Sequence, residues 1–185
     1  MNSKDRYELD YWEAVLSKDF RPRYEKVIEL FGIGKVKSIL EWGCGPFGGV
    51  LPYVDALIKY GYDPLADEYR KLSYYPFIFN EVPDIKFDCI LTVNAIDHGD
   101  SDFSVIKTLM NLLNDNGNLY IHVHLRRDEQ LNSGHDHQLT YDDFVRETEG
   151  LTIISFKIHG IDPLPASNDP NIREQYTALM AHIRK

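Results

Sequence analysis

The stretch Ile39-Leu40-Glu41-Trp42-Gly43-Cys44-Gly45-Pro46-Phe47-Gly48-Gly49 follows a short apolar run at residues 36–40 and places four glycines close together. Glycine lets a backbone turn sharply and lets a ligand approach without meeting a Cβ. Asp63 comes twenty residues after Gly43, at the end of the next expected strand. A carboxylate there can accept both hydroxyls of a ribose, so the combination predicts nucleoside binding. Read literally, Gly43-x-Gly45-x-x-Gly48 with Asp63 also satisfies the nicotinamide dinucleotide fingerprint.

Charge discriminates between the candidate nucleosides. A dinucleotide brings a doubly negative pyrophosphate to such a turn, whereas S-adenosylmethionine brings a sulfonium and an ammonium with a single carboxylate. Glu41 adjoins the turn, no Lys or Arg lies between Glu41 and Ile58, and Asp63 adds a second acid. That set favours a cationic ligand. Pyrophosphate binding through backbone N–H groups alone and a purely structural turn are the alternatives.

Histidines form the second constellation. His98, His122, His124, His135 and His137 all fall at expected strand exits or in the adjoining loop. His122 and His124 are two apart in one strand and so share a face. His124 lies nearer the carboxyl end, where open α/β sheets bind ligands. His124 or His98 is the expected general base; the competing reading makes the strand histidines hydrogen-bonded core residues. His135-Asp136-His137 with His122 or His124 contains metal-binding donors, but the spacing follows no standard zinc pattern and no metal is expected. Arg126 and Arg127 could grip an acidic acceptor, with His135 and His137 in the same substrate-facing loop. Tyr11 and Trp12 are expected either to cover the bound nucleoside or to pin the first helix to the sheet.

These groups need a scaffold. Residues 7–31 read as helical with a break before Pro22, closed by Gly32 and Gly34. Apolar strands are expected at 36–40, 61–63, 78–79, 87–93 and 119–125, with helices at 50–59, 66–73 and 104–113 and another beginning after Thr140. Strands at 152–158 and 176–183 then follow one another, and the proline-rich loop between them reads as a surface connection. Strand and helix alternation implies a three-layer α/β sheet with right-handed crossovers.

Several of these segments together resemble the class I, seven-β-strand S-adenosylmethionine-dependent methyltransferases. The segments are Ile39-Leu40-Glu41-Trp42-Gly43-Cys44-Gly45, Tyr60-Gly61-Tyr62-Asp63-Pro64, Phe87-Asp88-Cys89-Ile90-Leu91, Asn94-Ala95-Ile96-Asp97-His98 and residues 113–121. In sequence order the likeness spans about residues 36–185. It implies a doubly wound sheet of seven strands, ordered 3-2-1-4-5-7-6 with strand 7 antiparallel. Residues 1–35 would be a helical cap on the same domain, and residues 36–185 the Rossmann-like methyltransferase domain. The resemblance assigns Glu41, Gly43 and Gly45 to the methionine portion of S-adenosyl-L-methionine, Asp63 to the ribose, Glu81 to the adenine edge and Asn94 to the methionine end. In one departure from the family pattern, Pro46-Phe47 precede Gly48-Gly49, so the turn is either one residue longer or has Phe47 packed at the backbone contact.

Composition narrows the acceptor. The 185-residue chain carries a net charge of −9, which disfavours a domain held to nucleic acid by phosphate neutralisation. The strand-4 tip Asn94-Ala95-Ile96-Asp97 lacks the prolines and aromatic residue common in base amino-methyltransferases, and no Pro-Cys nucleophile is present. The expected activity is methyl transfer to an oxygen or nitrogen of a polar small molecule or glycan intermediate. An NAD-dependent oxidoreductase and a non-catalytic partner retaining the fold are the alternatives. No apolar run approaches a membrane span and no secretory signal opens the chain, so the cytoplasm is the expected compartment.

Overall fold

The computed structural model describes residues 3–71, 75–82, 84–98, 103–125, 139–166, 169–173 and 176–185, the segment 169–173 by backbone alone. The elements run α1 (Ser3–Val15), α2 (Arg21–Phe31), β1 (Val36–Trp42), β2 (Ala56–Tyr62), α3 (Ala66–Tyr69), β3 (Ile78–Phe79), β4 (Phe87–Val93) and α4 (Val105–Asn111). They continue with β5 (Leu113–Leu125), α5 (Tyr141–Glu147), β6 (Thr152–His159), β7 (Pro165–Ala166), β8 (Asp169–Arg173) and β9 (Thr177–Arg184).

Seven strands form one sheet in the order β3-β2-β1-β4-β5-β9-β6. All are parallel except β9, which runs antiparallel between β5 and β6. The expected strand order is therefore present. Its last strand is the ninth in the chain because the short β7–β8 hairpin intervenes.

Adjacent residues on the central strands enter opposite cores. Leu40 and Ile90 join a cluster with Ile106 and Leu109 of α4 and Phe144 of α5. Ile39 and Leu91 join a second cluster with Val15 of α1 and Tyr24 and Val27 of α2. Burial on both faces explains why β1 and β4 read as nearly unbroken apolar runs. Pro22, at the start of α2, needs no N–H there, and Gly32 caps that helix in the left-handed conformation. Thr140 and Asp143 form a reciprocal capping box at the start of α5, with Asp doing the work usually given to Glu.

The helix expected at 50–59 is absent. Residues 43–54 form successive turns, with Leu51 N–H bonded to the Gly48 carbonyl and Tyr53 N–H to that of Val50, and β2 starts at Ala56. Gly48 and Gly49 both sit at positive φ, and the bonds of Leu51 and Tyr53 reach only three residues back, so the stretch stays in single turns rather than an α-helical ladder. α3 ends at Tyr69, before the expected Ser73. β5 begins at Leu113, which shortens α4 to Asn111. The loop expected to be a simple surface connection after β6 contains the β7–β8 hairpin and a fully buried aspartate, Asp162.

Two packing features should differ measurably in stability. Phe144 stacks on Phe156 and meets Phe103 edge-on, so Phe144→Ala should cost about 3–5 kcal/mol. Thr140→Ala removes only the cap and should cost about 1 kcal/mol. Urea unfolding of the two variants checks this ordering.

Candidate functional site

The glycine turn leaves the carboxyl end of β1 at the middle of the sheet, where the strand order reverses direction. Gly43, Gly45, Gly48 and Gly49 all have φ between 54° and 74°. That region disfavours any residue with a Cβ. The turn is fastened from two sides by carboxylates. Glu41 is buried, and its Oε2 accepts the Val50 N–H at 2.6 Å. A Cβ on Gly49 would overlap the Glu41 carboxylate, so Gly49, one residue past the third glycine of the pattern, is a packing requirement of Glu41. Burial pushes Glu41 well above the ordinary carboxylate range.

Asp63, at the end of β2, holds the other side. Its Oδ2 accepts the Gly45 N–H at 2.9 Å and its Oδ1 the Leu65 N–H at 3.0 Å. Burial raises the carboxyl to about 6, against the lowering effect of those two bonds. The Glu8 charge raises it further, and His98 opposes that. An ionised carboxylate has about four acceptor positions, so two remain for ribose hydroxyls after the backbone is satisfied.

The first helix covers this turn. The Trp12 ring lies so close to Gly45 that a Cβ there would sit 2.7 Å from it, and the ring packs with Phe20 and Phe47. Phe47 therefore points into an aromatic cap shared with α1 and α2. Tyr11 is 44 % exposed and meets Trp12 edge-on, so of the two aromatics considered as a cover, Trp12 contacts the turn. Tyr75 covers Gly48 in the same manner. Glu8 Oε1 meets His98 Nδ1 at 2.5 Å, tying α1 to the loop after β4.

At the tips of β4 and β5 a second polar group assembles. Asn94, at φ 49°, donates its N–H to the His122 carbonyl and places its Oδ1 2.8 Å from His122 Nδ1. His122 Nε2 and His124 Nε2 lie 3.0 and 2.7 Å from the two oxygens of Asp162. Arg23 of α2 reaches the same carboxylate at 3.4 Å and donates to the Pro165 carbonyl at 3.1 Å. Burial alone would raise Asp162, yet the histidine bonds, the nearby His122 and Arg23 hold it well below the ordinary range. His124 stacks on Tyr176.

The anticipated residues thus divide. Gly43, Gly45, Asp63, Glu41 and Trp12 converge on the turn, with Glu41 beneath it rather than lining it. Asn94, His122 and His124 converge on Asp162. Glu81 is exposed beyond β3, where its backbone carbonyl accepts the Tyr60 hydroxyl. Arg126, Arg127, His135 and His137 lie outside the described residues. Asp162 and Arg23 join the Asn94, His122 and His124 group without any signal in the sequence. The Asp162-Pro163-Leu164-Pro165 stretch shows no periodicity, and its partner His124 is 38 positions away.

Gly49→Ala should destabilise the protein by at least about 2 kcal/mol, because it adds left-handed strain to the overlap with Glu41. Gly34→Ala should stay within about 0.5 kcal/mol, since an added Cβ there meets nothing. Chemical denaturation of both variants tests the glycine assignment.

No protein-family model matches the chain, and no curated protein matches it. Solved structures do. The chain superposes on a methyltransferase in complex with its activator protein from Haloferax volcanii with a TM-score of 0.66 at 12 % identity, covering 100 % of this chain and 98 % of that one. For an S-adenosylmethionine-dependent methyltransferase from Thermotoga maritima the TM-score is 0.64 at 15 % identity, covering 98 % and 97 %. For the N-methyltransferase NodS from Bradyrhizobium japonicum with bound S-adenosylhomocysteine it is 0.59 at 18 % identity, covering 89 % and 86 %. Strand order, the antiparallel β9 and these superpositions agree: the chain has the fold of the class I S-adenosylmethionine-dependent methyltransferases.

Proposed function

We propose that the protein transfers a methyl group from S-adenosylmethionine to a nitrogen or oxygen of a polar small molecule or glycan intermediate. The observation that carries this reading is the turn itself, which has carboxylates on two sides and no helix behind it. A pyrophosphate is stabilised by a helix N-terminus and its dipole, and residues 43–54 form turns instead. Within residues 41–63 the only basic side chain is Lys59, whereas Asp63 and, from α1, Glu8 contribute acids at the turn. That balance supports a cationic nucleoside over a dinucleotide.

Bound at the turn, S-adenosylmethionine would supply an electrophilic methyl on a sulfonium. Asp63 would hold the ribose and keep Gly45 in place. Gly43 and Gly45 would admit the methionine portion, with Asn94 beside it and Glu81 near the adenine edge. Trp12 must lift from Gly45 for entry, so α1 acts as the cover, and its return excludes water from the reacting atoms.

His98 is the better placed of the two candidate bases. It is partly exposed and oriented by Glu8, as a carboxylate orients a catalytic imidazole, whereas His124 is buried with Nε2 on Asp162. His124 then belongs to the acceptor wall, together with Tyr11; Arg126, Arg127, His135 and His137 remain substrate candidates on their sequence alone. N-methyltransferases among the similar structures favour nitrogen as the acceptor atom. The free, buried Cys44 and Cys89 suit the reducing cytoplasm.

Calorimetric titration tests the cofactor. S-adenosylmethionine or its demethylated product should bind in the micromolar range, and Asp63→Ala should weaken binding at least about tenfold. Binding of neither would end the reading, and NADH binding in their place would support an oxidoreductase.

Because Asp63 titrates near 6, lowering the pH from 7 to 5 protonates it and removes both an anion and a ribose acceptor. Affinity should fall by up to about tenfold over that interval, and Asp63→Asn should flatten the dependence. With labelled methyl donor and a panel of polar amines and alcohols, His98→Ala should reduce turnover about a hundredfold while cofactor affinity changes little. Cofactor binding without transfer to any acceptor, alongside a stoichiometric co-purifying partner, would indicate a non-catalytic role.

A further inference from the structure

The structure assigns a divalent transition-metal site, of the zinc class, to His122, His124 and Asp162. A β-strand turns residues two apart toward the same face, so His122-x-His124 in β5 presents two imidazoles side by side. Asp162 reaches them from the loop after β6. One atom from each of the three residues lies within 4.8 Å of the others, and all three residues are buried. An ion about 2.1 Å from each ligand holds neighbouring ligand atoms about 3.4 Å apart, which small ring and carboxylate rotations can reach.

Two imidazoles and one carboxylate are the donor set of zinc-type sites rather than of magnesium or calcium. Three protein ligands leave the fourth position for water or an added ligand, as open sites do.

A second observation comes from the atoms around His122. Both of its ring nitrogens face oxygen, Nδ1 toward Asn94 Oδ1 at 2.8 Å and Nε2 toward Asp162 Oδ1 at 3.0 Å. A neutral imidazole has one N–H and cannot donate to both. With a cation at Nε2, the N–H goes to Asn94, and Asp162 Oδ1 and His122 Nε2 both direct lone pairs at the ion. This is the usual arrangement of a metal-bound histidine, whose other nitrogen donates to an oxygen of the surrounding protein.

The carboxylate is itself held by the Leu164 N–H at 2.9 Å and by Arg23, which anchors it through the Pro165 carbonyl. The Arg23 charge opposes the ion, so affinity in the micromolar range is expected rather than that of a structural zinc centre. The three ligands come together without the cofactor, so the metal assignment does not rest on methyl transfer being the activity.

The test uses the full chain stripped with chelator and dialysed. Zn²⁺ followed by calorimetry should bind at one equivalent. Co²⁺ should produce the visible d–d absorption of a four- or five-coordinate ion with no thiolate charge-transfer band. His122→Ala and Asp162→Asn should each weaken binding at least about tenfold, and Asn94→Ala, which removes the outer partner, should weaken it by about the same factor.

Far-UV circular dichroism establishes that the variants fold. If one does not, the cobalt spectrum of the unaltered protein decides the ligands. No saturable binding by the unaltered protein would overturn the assignment and leave a neutral His122 that donates to Asp162 and accepts from a turned Asn94 amide. A thiolate band, or binding unchanged in folded His122→Ala and Asp162→Asn, would also overturn it.

Discussion

Two buried carboxylates bonded to backbone N–H groups set the shape on which the rest of the molecule depends. Glu41 fastens Val50, and Asp63 fastens Gly45 and Leu65. Between these bonds the chain passes through four left-handed glycines, a path that neither a helix nor a strand could take. Placing carboxyl groups inside a protein is costly unless they are hydrogen-bonded, and here the bonds go to N–H groups that the turn would otherwise leave without partners. Of the two, Asp63 also gives the turn its electrostatic character. Support and selectivity thus reside in the same residue, so the site cannot be made neutral without loosening the loop.

From this turn the aromatic cap follows. Glycines without side chains leave a flat surface, Trp12 and Tyr75 settle on it, and Phe47 of the turn packs against Trp12. The cap is attached through the Glu8–His98 pair to the loop after β4, which links the cover over the nucleoside position to the strand tips where an acceptor would lie. At those tips the Asn94–His122–Asp162–His124 chain joins β4, β5 and the loop after β6, with Arg23 of α2 closing it from the other layer. Residues from α1, α2, the glycine turn, the loop after β4, β5 and the loop after β6 therefore meet at one edge of the sheet, the edge formed by the carboxyl ends of its parallel strands.

Much of the scaffold was legible because its signals are local. β4 matches the expected residues 87–93, since continuous apolar burial on both faces leaves an unambiguous run. Pro22 and Gly32 mark the limits of α2, and Thr140 marks the start of α5. The segment 50–59 was misread because a glycine turn ahead of apolar residues ordinarily feeds a helix. Here the left-handed Gly48 and Gly49 and the Glu41 bond to Val50 hold the chain in turns, and an interaction with a residue nine positions earlier leaves no periodic trace. The glycine turn and Asp63 could be found by spacing. Asp162 could not, because its importance arises from a contact across 38 to 40 positions and its neighbours are loop-forming prolines.

A crystal structure of the protein with S-adenosylhomocysteine tests the central claim most directly. The ribose hydroxyls should lie on the Asp63 carboxylate and the amino-acid end over Gly43 and Gly45, with the Trp12 ring displaced from Gly45 as α1 moves. A ring still seated on Gly45 with no nucleoside beneath it, or a ligand bound elsewhere with Asp63 bonded only to its own backbone, would contradict it.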